Sequence, residues 1–275
     1  MSIQLVSTAT ISLFDLAQLL TESYQGYYVP LRMTEEQLHH HVVHYNIDLE
    51  RSRLALLDGQ PVGLGFLGMR EQRGWIGGLG VIAPQRRQGI ARQIMFELLE
   101  TAYRLGLSQI QLEAITLNAP AIALYEELGF TKQRTLHIIE GQPQGEWVAE
   151  VIEVEPQAAL ERYTDLHGVS NPWQRERVAL ERLTELSRAF ALHHNGAIMA
   201  YVMGIFEQDA LRFFDMGCLP NRPNHLRRVI LHLHSLYPFA KGGVVNLPEE
   251  DAAWAVLFPL GYKPVLSQYE MLLSF

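Results

Sequence analysis

The stretch that decides the fold is PQRRQGIARQ, residues 84–93, which follows the apolar run GWIGGLGVIA at 74–83 and opens a helical pattern. A strand, a glycine-containing turn and a helix place consecutive backbone N–H groups and the positive end of a helix dipole together. The turn adds three cations, Arg86, Arg87 and Arg92. This combination predicts a site for a phosphate-bearing ligand, although an ordinary strand–helix turn with surface arginines stays open on this segment alone.

The composition of the chain limits the classes of partner that the basic turn can bind. The 275 residues carry 22 Lys and Arg against 30 Asp and Glu, a net charge of -8, which argues against broad nucleic-acid binding. We find neither an apolar run of membrane-spanning length nor a secretory leader, and therefore expect a cytoplasmic protein without membrane or nucleic-acid partners. The single cysteine, Cys218, is expected to be a small buried strand residue rather than a nucleophile.

Hydrophobic periodicity predicts alternating helices and strands. Helical spacing covers 11–24 and 34–45, and the second helix begins at a capping box of Thr34 and Gln37. Asp58-Gly59 predicts a hairpin turn. Further strands and helices are expected at 74–83, 88–106, 108–116, 119–129 and 130–139. This order predicts an α/β or α+β fold with its ligand site where strands end and helices begin.

The second half of the chain repeats the first. The segment starting at Ser52 has a counterpart starting at Ser187, with Asn195-Gly196 as the hairpin turn, and 84–106 aligns with 220–242 without a gap. A third pair, 121–130 and 253–262, follows in the same order. Duplication of a whole domain is therefore predicted, with domains at 1–150 and 151–275.

Two motifs in the first half resemble those of the GNAT superfamily of acetyl-CoA-dependent N-acetyltransferases. The turn R-x-x-G-x-A is formed by Arg86, Gly89 and Ala91, and the later N-x-x-A-x-x-L-Y-x-x-x-G-F runs from Asn118 to Phe130. The resemblance covers about residues 1–150 and is closest in this region to ribosomal-protein alanine N-acetyltransferases. It implies tandem GNAT-like acyl-CoA N-acyltransferase domains, each a mixed, mostly antiparallel twisted sheet flanked by helices.

The resemblance also implies where acetyl-CoA, the co-substrate, is bound without a metal. The backbone of Leu79 to Val81 is expected to pair with the pantetheine arm, the turn to hold the pyrophosphate, and Asn118 to contact the pantetheine. The implied cofactor-binding residues are Leu79, Gly80, Val81, Arg86, Arg87, Gln88, Gly89, Ile90, Ala91, Arg92, Asn118 and Tyr125.

Two side chains are candidates for acid–base chemistry. The resemblance makes Tyr125 the general acid for the departing thiolate, with a core or surface aromatic as the alternative. Glu113 stands at the spacing found for the base in the alanine N-acetyltransferases, and a structural ion-pair role is weighed equally. Trp75 with Gly77-Gly78 is expected to shape the acceptor cleft, although a bulge that separates two strands explains the glycines as well.

The second copy departs from the motif at the turn. Gly89 and Ala91 are replaced by His225 and Arg227, Pro223 removes a backbone donor, and Leu257 stands in place of the tyrosine. The C-terminal domain is therefore expected to lack a working acyl-CoA site. Covering the acceptor cleft, packing against the first domain and supplying substrate-selecting residues all remain open.

The leading hypothesis is an N-acetyltransferase that moves an acetyl group from acetyl-CoA to a primary amine of unknown identity by direct attack. A non-catalytic acyl-CoA-binding sensor or interaction module is the alternative, and a monomer and a homodimer are both open. His39, His40, His41 and His44 are expected to form a solvated helix face rather than a metal site. Tyr24, Tyr27 and Tyr28 are expected either to contact substrate or to fill the core.

Overall fold

A computed structural model describes residues 3–275 of the chain, which fold into two compact units. The first unit extends to Gln133 and includes Glu270–Phe275, and the second is Arg134–Tyr269. The second unit thus begins before the predicted boundary at residue 150, because residues 136–141 pair with residues 242–248 of the same unit. The assignment of a catalytic domain to 1–150 and a degenerate one to 151–275 stays a prediction.

The first unit contains five complete strands in the order β1-β2-β3-β4-β5, and the C-terminal end of the chain's last strand lies next to β5. Only β4 and β5 run parallel among these five. The elements are β1 (Ile3–Ser7), α1 (Leu13–Ser23), α2 (Glu35–His44), β2 (Arg53–Leu57), β3 (Gln60–Arg70), β4 (Arg73–Val81), α3 (Ile90–Arg104), β5 (Gln109–Ile115) and α4 (Ala119–Glu127).

Local sequence signals place these elements as predicted. The Thr34 hydroxyl accepts from the Gln37 amide, and the Gln37 side chain accepts from the Thr34 amide, so the capping box of α2 is complete. Asp58 and Gly59 both adopt positive φ angles, 50° and 81°, which is the backbone that a two-residue hairpin requires.

Helix packing against the sheet explains two glycines of the first unit. A Cβ atom at Gly65 of β3 would lie 2.6 Å from Ile94 of α3. A Cβ atom at Gly80 of β4 would lie 2.2 Å from the Ser23 hydroxyl at the end of α1. The absence of a side chain at both glycines lets α3 pack closely on β3, and α1 on β4.

The second unit repeats this plan around the strand order β12-β6-β11-β10-β9-β8-β7. Its parallel pair is β10 and β11. The elements are β6 (Thr131–Gly141), β7 (Val151–Val154), α5 (Pro156–Leu160), α6 (Tyr163–Leu166), α7 (Arg177–Glu181), β8 (Arg188–His194), β9 (Ala197–Phe206), β10 (Ala210–Cys218), α8 (Pro223–Leu236), β11 (Lys241–Pro248), α9 (Ala252–Leu257) and β12 (Lys263–Ser274).

The two copies share their hairpin but not their first helices. Asn195 and Gly196 adopt φ angles of 51° and 78°, close to those of the equivalent turn in the first unit. The short helices α5, α6 and α7 precede this hairpin in the second unit. Cys218 is buried on β10, as predicted. Within residues 3–275, no helix combines the length and apolar character needed to cross a bilayer.

Candidate functional site

The site of the first unit starts where β4 and β5 diverge. Their parallel pairing covers Arg73–Trp75 against Gln109–Gln111, and no later β5 residue pairs with β4 in the described part of the chain. Next to this point Gly77 is an extra residue in β4, because Phe66 opposes Gly78 while Leu67 opposes Ile76. The bulge and the divergence leave the β4 backbone at 79–81, the predicted pantetheine-pairing segment, without a β5 neighbour.

The turn between β4 and α3 has the backbone shape of an anion site. Gly89 is the N-cap of α3 with φ 80°, and Arg87 also has a positive φ of 66°. The first intrahelical bond is donated by Gln93 to the Gly89 carbonyl, at 3.1 Å. The preceding amides of Ile90 and Ala91 therefore have no helical acceptor, and the turn from Arg87 to Gly89 is exposed.

Conformation, rather than space, is the reason for glycine at position 89. A Cβ atom built on Gly89 has no other atom within 4 Å. A residue with a Cβ atom adopts this positive φ only at a cost in free energy, so the backbone conformation favours glycine here.

The arginines of the turn have different roles in the structure. The Arg86 guanidinium donates to the carbonyls of Val81, Ser23 and Gln25, at 3.0, 3.0 and 2.8 Å, and so ties the end of α1 to the end of β4. Arg92 forms an ion pair with Glu127 of α4. The Arg87 side chain is exposed on the turn.

Asn118 lies at the N-terminus of α4, within reach of the loop that follows α1. Its side-chain oxygen accepts from the Ala121 amide at 3.3 Å and caps α4, while its amide nitrogen donates to the Tyr27 hydroxyl at 3.1 Å. The Tyr28 hydroxyl donates to the Leu117 carbonyl at 2.8 Å. These contacts connect the α1–α2 loop to the start of α4.

Tyr125 is buried on α4 and leaves 7% of its surface exposed. Burial, followed by the nearby Tyr24 and Tyr27 phenols, raises the pKa of Tyr125 well above its ordinary value. The phenol is therefore protonated at neutral pH. Burial likewise raises the pKa of Tyr24, one of the two phenols that interact electrostatically with Tyr125. The arrangement supplies a protonated hydroxyl in a desolvated position.

Glu113 lies on β5, two residues past the last pairing with β4. Its Oε2 atom accepts from the Trp75 indole N–H at 2.9 Å, and the residue as a whole is partly exposed although its Oε1 atom is buried. The structure thus brings the predicted base to the point of strand divergence.

The histidines of α2 do not form the solvated face that the sequence suggested. His44 is buried, and the His41 ring contacts the Gly77 carbonyl through Nε2 at 3.2 Å. Burial, only partly opposed by that contact, lowers the pKa of His41. The prediction was wrong for these two residues because α2 packs its C-terminal turns against β4. His39 is exposed.

The equivalent place in the second unit is occupied by side chains of the same unit. The strands β10 and β11 pair only at Ala210–Phe213 and Lys241–Val244 in the described residues. Beyond this pairing the Asp215 carboxylate accepts from Arg175 at 2.9 Å and from Tyr201 at 2.5 Å. Arg175 also lies 3.7 Å from Asp251, the N-cap of α9.

This ion cluster is buried, since Arg175 is 2% exposed and Asp215 is 0% exposed. The helix that follows β10 also starts differently from α3. Its N-cap, Arg222, has φ -133° and is followed by Pro223, so the left-handed glycine and one backbone donor are both missing.

Comparisons with known proteins agree with this architecture. Residues 13–130 match the Acetyltransferase (GNAT) family. The N-alpha-acetyltransferase MAK3 of Arabidopsis thaliana is 37% identical over 65 residues, which is 24% of this chain and 34% of that protein. The chain therefore spans about a third of the length of this curated relative.

Solved structures show the same fold over the whole chain. A tandem GNAT protein from the clavulanic acid biosynthesis pathway has a TM-score of 0.70 and 12% identity over 99% of this chain and 98% of its own. A GCN5-related N-acetyltransferase from Sphaerobacter thermophilus also has a TM-score of 0.70, at 13% identity over 99% and 95%. The predicted tandem fold is confirmed. Residues 13–130, which lie in the first unit, are therefore similar to the acetyltransferase (GNAT) family.

Proposed function

We propose that the chain is an N-acetyltransferase that transfers the acetyl group of acetyl-CoA to a primary amine, and that the first unit performs the reaction. The observation that carries this proposal is the open backbone edge of β4, which leads directly into the exposed Arg87–Gly89 turn. An extended amide-bearing arm can pair with the edge, and a pyrophosphate can accept from the amides at the start of α3. The edge of β4 can therefore hold the pantetheine arm of acyl-CoA, and the turn that follows β4 can hold its pyrophosphate.

Within this proposal the glycine and the amides bind the pyrophosphate, while Arg86 acts by holding the turn. Its guanidinium already donates to three carbonyls, so it stabilises the geometry of the turn. The exposed Arg87 is the side chain that supplies charge to the phosphates. The Asn118 side chain is oriented by its cap of α4 and by Tyr27, and we assign it the contact with the pantetheine.

The proposed chemistry is direct attack. Glu113, directly or through a water molecule, takes a proton from the ammonium form of the acceptor. The neutral amine then attacks the thioester carbonyl carbon, a C–N bond forms and the C–S bond breaks. Tyr125 donates its proton to the departing thiolate, and the second proton released by the acylated nitrogen restores the phenol. Its raised pKa keeps the phenol protonated until the thiolate appears.

A groove between α1 and α2, with a volume of about 1390 Å³, is the proposed approach for the acceptor. Tyr24 and Tyr27, which neighbour Tyr125, form part of its wall. Glu22, Glu35 and Glu36 also line it, and their charge favours an ammonium group over an anionic substrate.

For the second unit we propose a structural role without acyl-CoA. Arg175, Asp215 and Asp251 fill the space next to β10, and α8 begins without a left-handed glycine. We further propose a cytoplasmic monomer or homodimer, in keeping with the single buried thiol and the acidic net charge.

A direct test incubates the full chain with acetyl-CoA and a panel of primary amines that includes polyamines, amino acids and peptides with free N-termini. We expect thiol release that depends on the amine, together with an acetylated product seen by mass spectrometry. Acetyl-CoA binding without thiol release across the panel would favour the non-catalytic sensor. Absence of acetyl-CoA binding would contradict both functions.

A further inference from the structure

The Trp75 indole is the feature of the first unit that the proposed reaction leaves unexplained. It is 3% exposed, at the last position where β4 pairs with β5, and its N–H donates to Glu113 Oε2 at 2.9 Å. An indole N–H donates but cannot accept. The contact therefore orients the carboxylate without competing for the proton that the carboxylate is to accept.

The β4 bulge makes room for this indole. A Cβ atom at Gly77 would lie 2.4 Å from Cζ3 of Trp75, so any side chain at this position displaces the ring. The glycine is thus explained by the tryptophan that lies across it, in addition to the divergence of the strands.

Two aromatic rings at the C-terminal end of α2, those of His41 and Tyr45, pack against the Trp75 indole. The Tyr45 ring, at the C-cap of α2, lies 5.6 Å from the Trp75 ring at an interplanar angle of 68°. The His41 ring lies 6.0 Å from it, and His41 Nε2 contacts the Gly77 carbonyl. The indole is therefore fixed by strand, bulge and helix, which is the support that a precisely oriented side chain needs.

We infer that Trp75 is the positioning residue of the Glu113 carboxylate, held in place by His41, Tyr45 and the glycine bulge. The inference rests on the proposed function, in which Glu113 is the base. Tyr45 interacts electrostatically with Glu113 and also with Arg70 of β3, and the His41 ring packs against the Tyr45 ring. A small change in the orientation of the carboxylate changes its distance to the acceptor amine, and misplacement of about 1 Å can cost about 100-fold in rate.

The first experiment reads the contact without any turnover. Indole ¹⁵N–¹H resonances are recorded across pH for the full-length protein, and the Trp75 signal is assigned by its loss in Trp75→Phe. We expect this signal to follow the titration of Glu113 in the wild type and to lose that dependence in Glu113→Gln. The same pH response in the wild type and in Glu113→Gln would overturn the inference.

The second experiment is a double-mutant cycle on thiol release. Trp75→Phe keeps a ring but deletes the donor, and we expect kcat to fall about 10- to 100-fold while the KM for acetyl-CoA changes less than about twofold. The double variant Trp75→Phe/Glu113→Gln should be no slower than Glu113→Gln alone. Trp147→Phe, which alters an indole that is 67% exposed, is the matched control and should be unaffected.

These outcomes separate the inference from the proposed function. Additive losses in the cycle, or a weaker acetyl-CoA interaction in Trp75→Phe, would show a merely structural tryptophan and overturn the inference while Glu113 remains the base. Full turnover in Glu113→Gln would instead remove the proposed base, whatever the indole resonance reports, and the positioning role would fall with it.

Discussion

The two units open the same gap between strands and fill it differently. In the first, β4 and β5 part after Trp75, and the path continues to an exposed turn capped by Gly89. In the second, β10 and β11 part after Phe213, and Arg175 crosses the gap between Asp215 and Asp251. Strand divergence is therefore a property of the fold, whereas the side chains placed in the gap determine whether a ligand can enter.

The gap between β10 and β11 is difficult to reopen because the charged side chains that fill it are buried. A carboxylate and a guanidinium that are both desolvated compensate each other, and removing either leaves an unpaired buried charge. The exposed turn of the first unit has no such internal partner for its amides among the described residues. This contrast predicts that substitutions in the first unit change the reaction, while equivalent substitutions in the second change stability.

The largest expected effect is at Tyr125, because the aligned position of the second unit is Leu257. Tyr125→Phe should lower kcat by about 100- to 10,000-fold, because it removes the proton donor to the thiolate, with acetyl-CoA affinity retained. Thiol release and calorimetry measure the two quantities. Tyr103→Phe, which makes the same change at a tyrosine of α3 that is 69% exposed, is the matched control and should leave kcat unchanged. Wild-type turnover in Tyr125→Phe would remove the assigned role.

Disrupting the buried cluster of Arg175, Asp215 and Asp251 tests whether the second unit depends on it for stability. Arg175→Met should destabilise the second unit by about 3–5 kcal/mol, because the buried carboxylates Asp215 and Asp251 lose the guanidinium they share and only His167 remains as a cation beside Asp215. Hydrogen exchange resolved along the chain locates the loss. Arg177→Met, which breaks an exposed pair with Glu181, should cost less than about 1 kcal/mol. Equal losses in the two variants would show that burial of the cluster contributes nothing.

A smaller effect is expected from the left-handed glycines. Gly89→Ala and Gly196→Ala should each destabilise the protein by about 1 kcal/mol, because both residues have φ near 80° and open space around Cβ. Only Gly89→Ala should also weaken acetyl-CoA binding. Chemical denaturation and calorimetry give the two readouts, and weaker acetyl-CoA binding in Gly196→Ala would contradict the assignment of the site.

The smallest expected effect separates two histidines by pH. Burial lowers the pKa of His41, whereas in the second unit Asp215 outweighs the effect of burial and raises the pKa of His167. His41 should thus titrate below its ordinary value of 6.5, and His167 above it, in a nuclear magnetic resonance titration. Assignment by His41→Gln and His167→Gln checks the order, and the reverse order would contradict both environments.

The linked stability effects have opposite signs. The folded state favours neutral His41, so its contribution is present above the unfolded pKa and is lost as pH falls through the folded pKa. The folded state favours charged His167, so that contribution is complete below the unfolded pKa and is lost as pH rises through the folded pKa. Each unit of pKa difference corresponds to about 1.4 kcal/mol. Comparing the stability of each variant with the wild type across pH isolates the two contributions.

Local signals in the sequence were sufficient for most of the fold. The capping box at Thr34, the hairpin at Asp58-Gly59 and the turn at Gly89 depend on residues within one or two turns of each other, and each is found as predicted. The duplication was visible because the same local signals recur in the same order. Placement of β6 and of the C-terminal strand was missed because pairing between distant strands leaves no local pattern.

The contacts among the predicted site residues could not be predicted from the sequence, and their roles remain predictions. Nothing near Arg86 in the sequence indicates that its guanidinium reaches carbonyls of Ser23 and Gln25, some 60 positions earlier. Trp75 and Glu113 are likewise 38 residues apart and meet only through strand pairing. Arg175 comes from a segment without any motif, so the filling of the second gap required the structure.

Because only the first unit is proposed to bind acetyl-CoA, the stoichiometry of binding distinguishes the two units. Isothermal titration of the full chain with acetyl-CoA should give one equivalent, abolished by Gly89→Glu and unchanged by Arg227→Glu at the aligned helix start of the second unit. Two equivalents, or binding that survives Gly89→Glu, would contradict the account.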